Sequence, residues 1–513
     1  MVNKKKEYLK SKKETLARIK NTETQKVSIS SSPLIKFNYF NLDSKYPVSL
    51  IVALIYGMAL SFIAIKYFEP WRDLAHLWVS TRDSSIFDLL FKIPVGAVPS
   101  LWSLFIKPLT MVHAPYISSI VLNIWACAAA VYLLLRYAPL PYYLKILFVL
   151  SYPLIYEFPF PGRIYGFGAL LVFLICALYP VRKKSPVLFS VALAGLMHTH
   201  PIYLGFLVPI GAFFAWEIFF DKLITPSKKI YSFGILILSG IYFLWYVFQG
   251  QKFAKLVKVG AKKDFFPSTL SQSFLADAGL SWILALGLLI SLLLLFYKYR
   301  TIIMFSFMLI FSFYMYHEVT PNFIRYFLML PVMTIGLLWV HSLQFKLTGF
   351  YKNNFEKRIY TGSAIIFALC CCLSAKNGLI MLSREIKEPH SYSEEAGKFI
   401  NEHYPQHTII GHRCYTASAV VPYLKNQQSI WMADEEKFVS YIMGDSLYYQ
   451  TAFKYSYPEA LQNALKKFPY EKKLILLFSI PLPPEYSKGW KLVYQSEKRP
   501  IQYDEVYFIY EKI

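Results

Sequence analysis

The first long apolar segment of the chain spans residues 47–66 and reads PVSLIVALIYGMALSFIAIK. Its one charged residue is the terminal Lys66, and about 20 apolar residues suffice to cross the hydrocarbon core of a bilayer as a helix. Comparable segments recur down the chain, which predicts eleven membrane-spanning helices. They lie near residues 47–66, 114–135, 142–158, 164–180, 186–198, 201–220, 230–248, 275–297, 302–317, 325–344 and 360–382.

The composition agrees with a helical polytopic membrane protein. The chain has 513 residues, of which 56% are hydrophobic and 17% are charged, whereas a soluble domain has about 45–50% apolar and about 25% charged residues. This composition excludes a soluble enzyme, a disordered chain, a coiled coil and a disulfide-rich secreted scaffold. The 6 cysteines form no CxxC pair and no zinc-binding spacing.

The charge distribution predicts the topology. The formal net charge is +23, and the basic excess lies among the apolar segments before residue 384. An anionic membrane surface is therefore a better partner than nucleic acid. The Lys-rich arm, residues 1–46, is predicted to be cytoplasmic by the positive-inside rule. The apolar run that follows it begins too far into the chain and is too long for the hydrophobic region of a signal peptide. An odd number of spans then places residues 384–513 on the extracytoplasmic side.

The segment 384–513 predicts a small α/β domain that follows a transmembrane domain over residues 47–383. Short apolar runs alternate there with amphipathic helical patterns. The predicted strands are Thr408–Ile410, Ser429–Met432 and Leu474–Phe478, the helices are Glu394–His403 and Pro458–Phe468, and Val493 with Val506–Ile509 can form a terminal strand pair.

Two external loops carry features of interest. The first, residues 67–113, contains the amphipathic stretches Leu74–Ser80 and Ser85–Phe91, and a long structured loop between spans is usually functional. Another predicted external loop holds five lysines against the usual charge bias, and these can bind an anionic ligand or lipid headgroups. They are Lys252, Lys255, Lys258, Lys262 and Lys263.

Two carboxylates at external span ends are the main candidates for chemistry. Asp73 follows the first span, and Glu157 ends the third. A carboxylate at the membrane surface can act as a general base toward a hydroxyl group, and a second can hold a divalent cation or orient the acceptor. Alternatively, Asp73 caps an interfacial helix and Glu157 pairs with Arg163.

Residues 71–83, WRDLAHLWVSTRD, resemble the first-loop motif W-R-D-E-A-Q-A-W-x-x-A-R-D of bacterial membrane glycosyltransferases with the GT-C fold. Residues 156–171, YEFPFPGRIYGFGALL, are similar to a second family segment, Y-E-x5-R-N-Y-x-x-G-x-L-L. Thr199-His200 and Arg325-Tyr326 fit two weaker segments. The resemblance covers roughly residues 50–345.

Enzymes of this family, which includes proteins like the dolichyl-phosphate-mannose-protein mannosyltransferases, move a sugar from a polyprenyl-phosphate carrier to an acceptor outside the membrane. The resemblance implies an inverting hexosyltransferase of a bacterial inner membrane, acting on a glycan, lipid or protein. It implies that Asp73 is the catalytic base and Glu157 a second catalytic carboxylate. The candidate substrate-binding residues are Arg163, Tyr165, His200, His76, Lys258 and Arg325.

The sequence departs from the family motif at two positions near Asp73. Leu74 stands where the family has Glu, and His76 stands where it has Gln. No cofactor is certain, and a divalent metal held by Asp73 and Glu157 remains open. His198 and His200 diverge if they lie on one helix, so joint metal ligation there would need an irregular backbone.

Two other classes of function remain open. A secondary transporter or lipid flippase would show internal repeats and charges at the bilayer midplane, whereas the charges here concentrate at external span ends. A polysaccharide polymerase or ligase would centre on a large late external loop, whereas the motifs here lie in the first and third external loops.

Overall fold

The computed structural model describes residues 46–92, 101–161, 163–254, 265–276, 282–297, 299–319, 323–348, 354–425, 429–441 and 455–513. Residues Ser49–Ile513 form one unit by their internal contacts, and 71% of the structure is helical. In chain order the helices are α1 (Tyr46–Tyr67), α2 (Arg72–Asp83), α3 (Ile86–Phe91), α4 (Leu101–Met111), α5 (Ser118–Tyr137), α6 (Tyr142–Val149), α7 (Tyr165–Leu178), α8 (Pro186–Met197), α9 (Leu204–Phe220), α10 (Pro226–Ala254), α11 (Phe265–Leu275), α12 (Trp282–Phe296), α13 (Thr301–Tyr314), α14 (Ile324–Phe327), α15 (Met329–Thr348), α16 (Asn354–Lys387), α17 (Ser393–His403), α18 (Cys414–Ala417) and α19 (Tyr457–Lys467).

Within the described ranges, seven helices are long and apolar enough to cross a membrane, which is typical of a polytopic membrane protein. Each coincides with one of the eleven predicted spans. Three further predicted spans are shorter apolar helices. The seven long segments are Pro47–Tyr67, Ser118–Tyr137, Pro201–Phe220, Pro226–Gln249, Thr301–Val319, Ile324–Leu343 and Lys357–Lys387, and the shorter ones are Tyr165–Val181, Pro186–Met197 and Trp282–Phe296.

The predicted span over 142–158 is divided in the structure. Helix α6 ends at Val149, and a one-turn π-helix follows at Pro153–Glu157. Pro153 explains the break because proline has no N–H to donate and restricts the residue before it. A π-helical turn widens the backbone and is frequent at functional sites, and this one carries Glu157.

The loop predicted to be the first external one is folded between residues 67 and 92, and its two predicted amphipathic stretches are helical, in α2 and α3. Helix α2 buries Leu74 and Trp78 on one face. Its C-terminal carbonyl groups are bound by the Lys107 ammonium, which donates to the carbonyl oxygens of Thr81 at 2.9 Å and Arg82 at 3.1 Å. A cation at this end also offsets the negative pole of the helix dipole, so α2 is held at both its apolar face and its end.

Two glycines let α7 pack closely against its neighbours. A Cβ on Gly166 would overlap the side chains of Asn123 and Cys127 in α5, and a Cβ on Gly168 would overlap the ring of Tyr203. These positions accept only a hydrogen side chain without rearrangement. The glycines therefore fix the position of the N-terminal end of α7, where Tyr165 lies.

The C-terminal segment contains a mixed six-stranded sheet with strand order β3-β2-β1-β4-β6-β5. Strand β1 pairs in parallel with both β2 and β4, and the remaining pairs are antiparallel. The strands are β1 (Thr408–Gly411), β2 (Ile430–Met432), β3 (Lys437–Val439), β4 (Leu474–Phe478), β5 (Trp490–Gln495) and β6 (Phe508–Lys512). The sequence predicted β1, β2, β4 and the terminal pair, and it predicted both long helices, α17 and α19.

Both faces of this sheet are covered. The buried strand β4 directs Leu474 and Leu476 into a cluster with α19, whereas Ile475 and Leu477 join the cluster that contains α17. This division follows from the two-residue side-chain period of a strand. A 3-10 helix, Ser418–Tyr423, packs against both α17 and α2, so the C-terminal segment lies directly on the first loop.

Candidate functional site

Asp73 lies in the first turn of α2, where it forms ion pairs with two arginines. Its Oδ2 atom lies 2.8 Å from Nη2 of Arg163 and 3.3 Å from Nη1 of Arg325. The helix-cap alternative for Asp73 is wrong, because Trp71 occupies the cap position and Asp73 binds side chains instead. The Asp73 and Arg163 side chains are 21% and 28% exposed, so the pair lies at a surface that a substrate can reach.

Arg163 is placed by the segment between the π-helix and α7. The side-chain amide of Asn123 in α5 donates hydrogen bonds to the carbonyl oxygens of Phe158 and Pro159. This anchors the turn that leads to Arg163, while Gly166 holds the following helix close to α5. The sequence therefore fixes Arg163 from both sides of the turn.

Arg325 reaches Asp73 from the short helix α14, and it is 7% exposed. Its guanidinium lies 5.0 Å from the ring centre of Trp71 and 4.7 Å from that of Phe323. Aromatic faces attract a guanidinium and restrict its rotation. Trp71 precedes Asp73 by two residues, so the first-loop motif contributes both the carboxylate and the ring beside its second cation.

A cluster of three aromatic rings lies next to these arginines. The rings of His200 and Tyr326 stack with centres 5.2 Å apart, and the ring of Tyr165 meets both at steep angles. The Nδ1 atom of His200 accepts the backbone N–H of Ile202, so this histidine also caps the turn before α9. Predicted residues from three distant segments thus lie together: Tyr165, His200 and Arg325.

The charged groups around Asp73 shift the pKa of its carboxyl group. Burial raises the pKa of the Asp73 carboxyl, but Arg163, Arg325 and Arg72 together outweigh this and lower the pKa below its ordinary value. Burial, with Arg163 next, lowers the pKa of His76 to about 4. At neutral pH the site therefore contains a carboxylate, a neutral imidazole and bound arginines.

Glu157 is buried and faces a different set of partners. It interacts with Arg325 through charge and accepts a hydrogen bond from the Tyr152 hydroxyl. The alternative that Glu157 pairs with Arg163 is wrong, because Arg163 forms its ion pair with Asp73. Arg325 interacts with both carboxylates, so Asp73 and Glu157 share one cationic neighbour.

A buried acid–histidine pair lies next to Glu157 and was not expected from the sequence. Nδ1 of His390 lies 2.7 Å from Oε1 of Glu385, and the Tyr156 hydroxyl donates to the same oxygen atom. Glu385 lies near the end of α16, with no motif around it. The one available signal was a Glu in the last turn of the final apolar helix.

The remaining candidates divide between described and undescribed residues. His198 forms a 2.8 Å hydrogen bond with Ser239, whereas His200 accepts the backbone N–H of Ile202. His317 and Glu318 form an exposed pair. Lys258 lies outside the described residues, as do Lys255, Lys262 and Lys263. Among the described residues, no three His, Cys, Asp or Glu side chains are grouped so that they could hold a metal ion.

No protein-family model matches the chain, and no curated protein matches it significantly. A function for the chain therefore has to be inferred from the geometry around Asp73.

Proposed function

We propose that the chain is a membrane glycosyltransferase of the GT-C type, which moves a sugar from a polyprenyl-phosphate carrier to an acceptor hydroxyl. The observation that carries the proposal is the Asp73 carboxylate bound by Arg163 and Arg325. These three residues come from the first-loop motif, the second family-like segment and the weaker Arg325-Tyr326 segment. Their convergence is what a shared site for a hydroxyl and a phosphate requires.

In the proposed reaction Asp73 is the general base. Its carboxylate accepts the proton of the acceptor hydroxyl while the acceptor oxygen attacks the anomeric carbon of the donor sugar. The bond between that carbon and the phosphate oxygen breaks, and polyprenyl phosphate leaves with the electron pair. One glycosidic bond forms and one glycosyl phosphate bond breaks, with inversion at the anomeric carbon.

The arginines supply the positive charge that the leaving phosphate needs. Phosphate gains negative charge as the carbon–oxygen bond breaks, and guanidinium groups fit phosphate oxygens with two parallel hydrogen bonds. Arg163 and Arg325 both form ion pairs with Asp73, so a donor phosphate competes with the carboxylate for them. Loss of even one ion pair would raise the basicity of Asp73 at the moment when the donor is bound.

The proposal places the reaction on the extracytoplasmic side of a bacterial inner membrane. It retains eleven spans, a cytoplasmic arm over 1–46 and an extracytoplasmic C-terminal domain. A polyprenyl carrier keeps its phosphate at the membrane interface, which suits a carboxylate that lies six residues after the candidate span Pro47–Tyr67 and is the second residue of α2. Aromatic rings of the same loop, such as Trp71 and Trp78, suit that interface.

A divalent cation does not fit the residues around Asp73. Two guanidinium groups already lie against its Oδ2 atom, and they would repel a second cation. The site also lacks a group of three metal-binding side chains within the described residues. The proposed reaction therefore uses the arginines in place of a metal.

The test is incubation of the purified chain with a polyprenyl-phosphate hexose and a panel of glycan, lipid and peptide acceptors. The expected result is release of polyprenyl phosphate together with a glycosylated acceptor. Transfer of the intact lipid between the leaflets of a vesicle, without release, would instead support a flippase. Transfer of an oligosaccharide but not a single hexose would support a polymerase or ligase.

A further inference from the structure

Glu505 of the C-terminal domain caps the helix that carries Asp73. Its Oε1 atom accepts the backbone N–H of Arg72 at 3.0 Å, although the two residues are 433 positions apart. Arg72 is the first residue of α2, and its cap residue, Trp71, makes no side-chain cap. A free N–H in the first turn of a helix needs such an acceptor, and a carboxylate there also favours the helix dipole.

The Arg72 side chain turns to the same domain. Its Nη1 atom lies 2.5 Å from Asp504 and 3.8 Å from Glu505. The Glu505 side chain is fully buried, and a buried carboxylate without partners is strongly unfavourable. The backbone N–H and the guanidinium of Arg72 both approach Oε1 of Glu505, and they offset part of the cost of burying this side chain.

A glutamate of the first loop caps a helix of the C-terminal domain in the same way. Oε1 of Glu69 accepts the backbone N–H of Glu394 at 2.6 Å, in the first turn of α17. The cap residue of α17, Tyr392, makes no side-chain cap. Each helix is thus capped by a glutamate from the other segment. The Pro70 carbonyl oxygen lies between these two caps and accepts the hydroxyl of Ser393 at 3.3 Å.

We propose that the C-terminal domain positions Asp73 for catalysis by holding the segment Glu69–Arg72, with Glu505 and Asp504 as positioning residues. This inference rests on the proposed function. All these contacts are made by residues of the segment Glu69–Arg72, which immediately precedes Asp73. A shift of this segment therefore moves the Asp73 carboxylate relative to Arg163 and Arg325. A misplacement of about 1 Å in a catalytic group can cost about 100-fold in rate.

Two substitutions of Glu505 separate its role as a helix cap from its charge. Glu505→Leu removes the cap and the charge, and Glu505→Gln keeps an oxygen that can accept the Arg72 N–H. Glu511→Gln is the matched control, because Glu511 binds the Tyr404 hydroxyl within the C-terminal domain. We expect Glu505→Leu to lower kcat about 10–100-fold with little change in the donor KM, Glu505→Gln to recover most of the rate, and the control to match the wild type.

Hydrogen–deuterium exchange of the full-length variants provides the second readout. We expect faster exchange in the first turn of α2 in Glu505→Leu, with unchanged protection of the buried strand β4. If Glu505→Leu loses protection in β4 as well, Asp504→Asn replaces it, since this partly exposed side chain contacts Arg72 without filling the core. If kcat and the exchange of α2 were unchanged in both Glu505→Leu and Asp504→Asn, the proposal would be overturned.

The two readouts distinguish this inference from the proposed function. A wild-type protein without any transferase activity would defeat the proposed reaction, while the exchange of α2 would still report whether the C-terminal domain holds the segment. Equal rates in the wild type and Glu505→Leu, together with faster exchange of α2, would defeat the positioning role alone.

Discussion

Arg163 and Asp73 form a 2.8 Å ion pair at the start of α2, and Arg325 approaches the same carboxylate oxygen from a third segment. This arrangement lowers the pKa of the Asp73 carboxyl despite its burial. A carboxylate held this firmly is a weak base until one of its partners is withdrawn. The proposed reaction therefore couples donor binding to base strength, because the donor phosphate competes for the arginines.

Substitution of Arg163 tests this coupling. In Arg163→Gln the donor phosphate loses one charged hydrogen-bond donor, worth about 1.5–3 kcal/mol, so we expect the donor KM to rise about 10–100-fold. Inhibition by the product, polyprenyl phosphate, should weaken in parallel. Arg182→Gln is the control, because Arg182 binds Glu217 instead. An unchanged donor KM in Arg163→Gln would remove Arg163 from the phosphate site.

The glycines of α7 predict a stability difference between two similar substitutions. A Cβ on Gly168 would overlap the Tyr203 ring, whereas a Cβ on Gly211 in α9 meets nothing within 4 Å. We expect Gly168→Ala to lose about 1–3 kcal/mol through overpacking and Gly211→Ala to be neutral or up to about 1 kcal/mol more stable. Thermal unfolding in detergent measures both. Equal unfolding midpoints would mean that the close approach of α7 is not required.

The lowered pKa of His76 predicts a pH dependence of stability. Burial and Arg163 lower this pKa to about 4, whereas an unfolded histidine titrates near about 6.5. Between these values the unfolded state binds a proton that the folded state does not, so the free energy of unfolding falls as the pH falls from about 6.5 to about 4. We expect the free energy of unfolding to fall less over this pH range in His76→Gln.

Thermal unfolding midpoints at pH 7.5 and pH 5 measure this effect. Burial also lowers the pKa of His200, to about 3, so the His76→Gln variant should keep part of the pH dependence. Identical shifts of the midpoint in the wild type and the variant would contradict the assignment of a neutral His76.

The contact between Arg72 and Glu505 predicts that the first loop and the C-terminal domain lie on one side of the membrane. We expect a cysteine introduced at Lys488 in the C-terminal segment and one introduced at Ile86 in the loop to react alike with a membrane-impermeant maleimide in intact cells. Both side chains lie at positions that are exposed. Labelling of one but not the other would contradict the topology.

Several elements were predictable because one local feature decides them. Strand β4, Leu474–Phe478, was predicted with its observed bounds because an uninterrupted apolar run follows Lys473. The helix α2 was predictable from its apolar period. The break in the third predicted span was missed, although Pro153 marks it, because hydropathy does not report backbone hydrogen bonding.

The parts of the site that depend on long-range contacts were less predictable. Asp73, Glu157, Arg163 and Arg325 were proposed one by one from the sequence. The sequence also left Glu157 open as the partner of Arg163, whereas Arg163 pairs with Asp73. Glu505 was missed because it lies in no motif and acts on a backbone N–H 433 residues away. Ion pairs and caps between distant segments depend on the packing of the whole unit, which periodicity does not encode.

The claim that Asp73 is the catalytic base is checked by comparing Asp73→Asn with Asp83→Asn in the polyprenyl phosphate release assay. Both residues are on α2, but Asp83 pairs with its neighbour Arg82 at 2.6 Å. We predict that Asp73→Asn lowers kcat about 10²–10⁴-fold with wild-type folding, while Asp83→Asn keeps the wild-type rate. An Asp73→Asn protein that releases polyprenyl phosphate as fast as Asp83→Asn would contradict the claim.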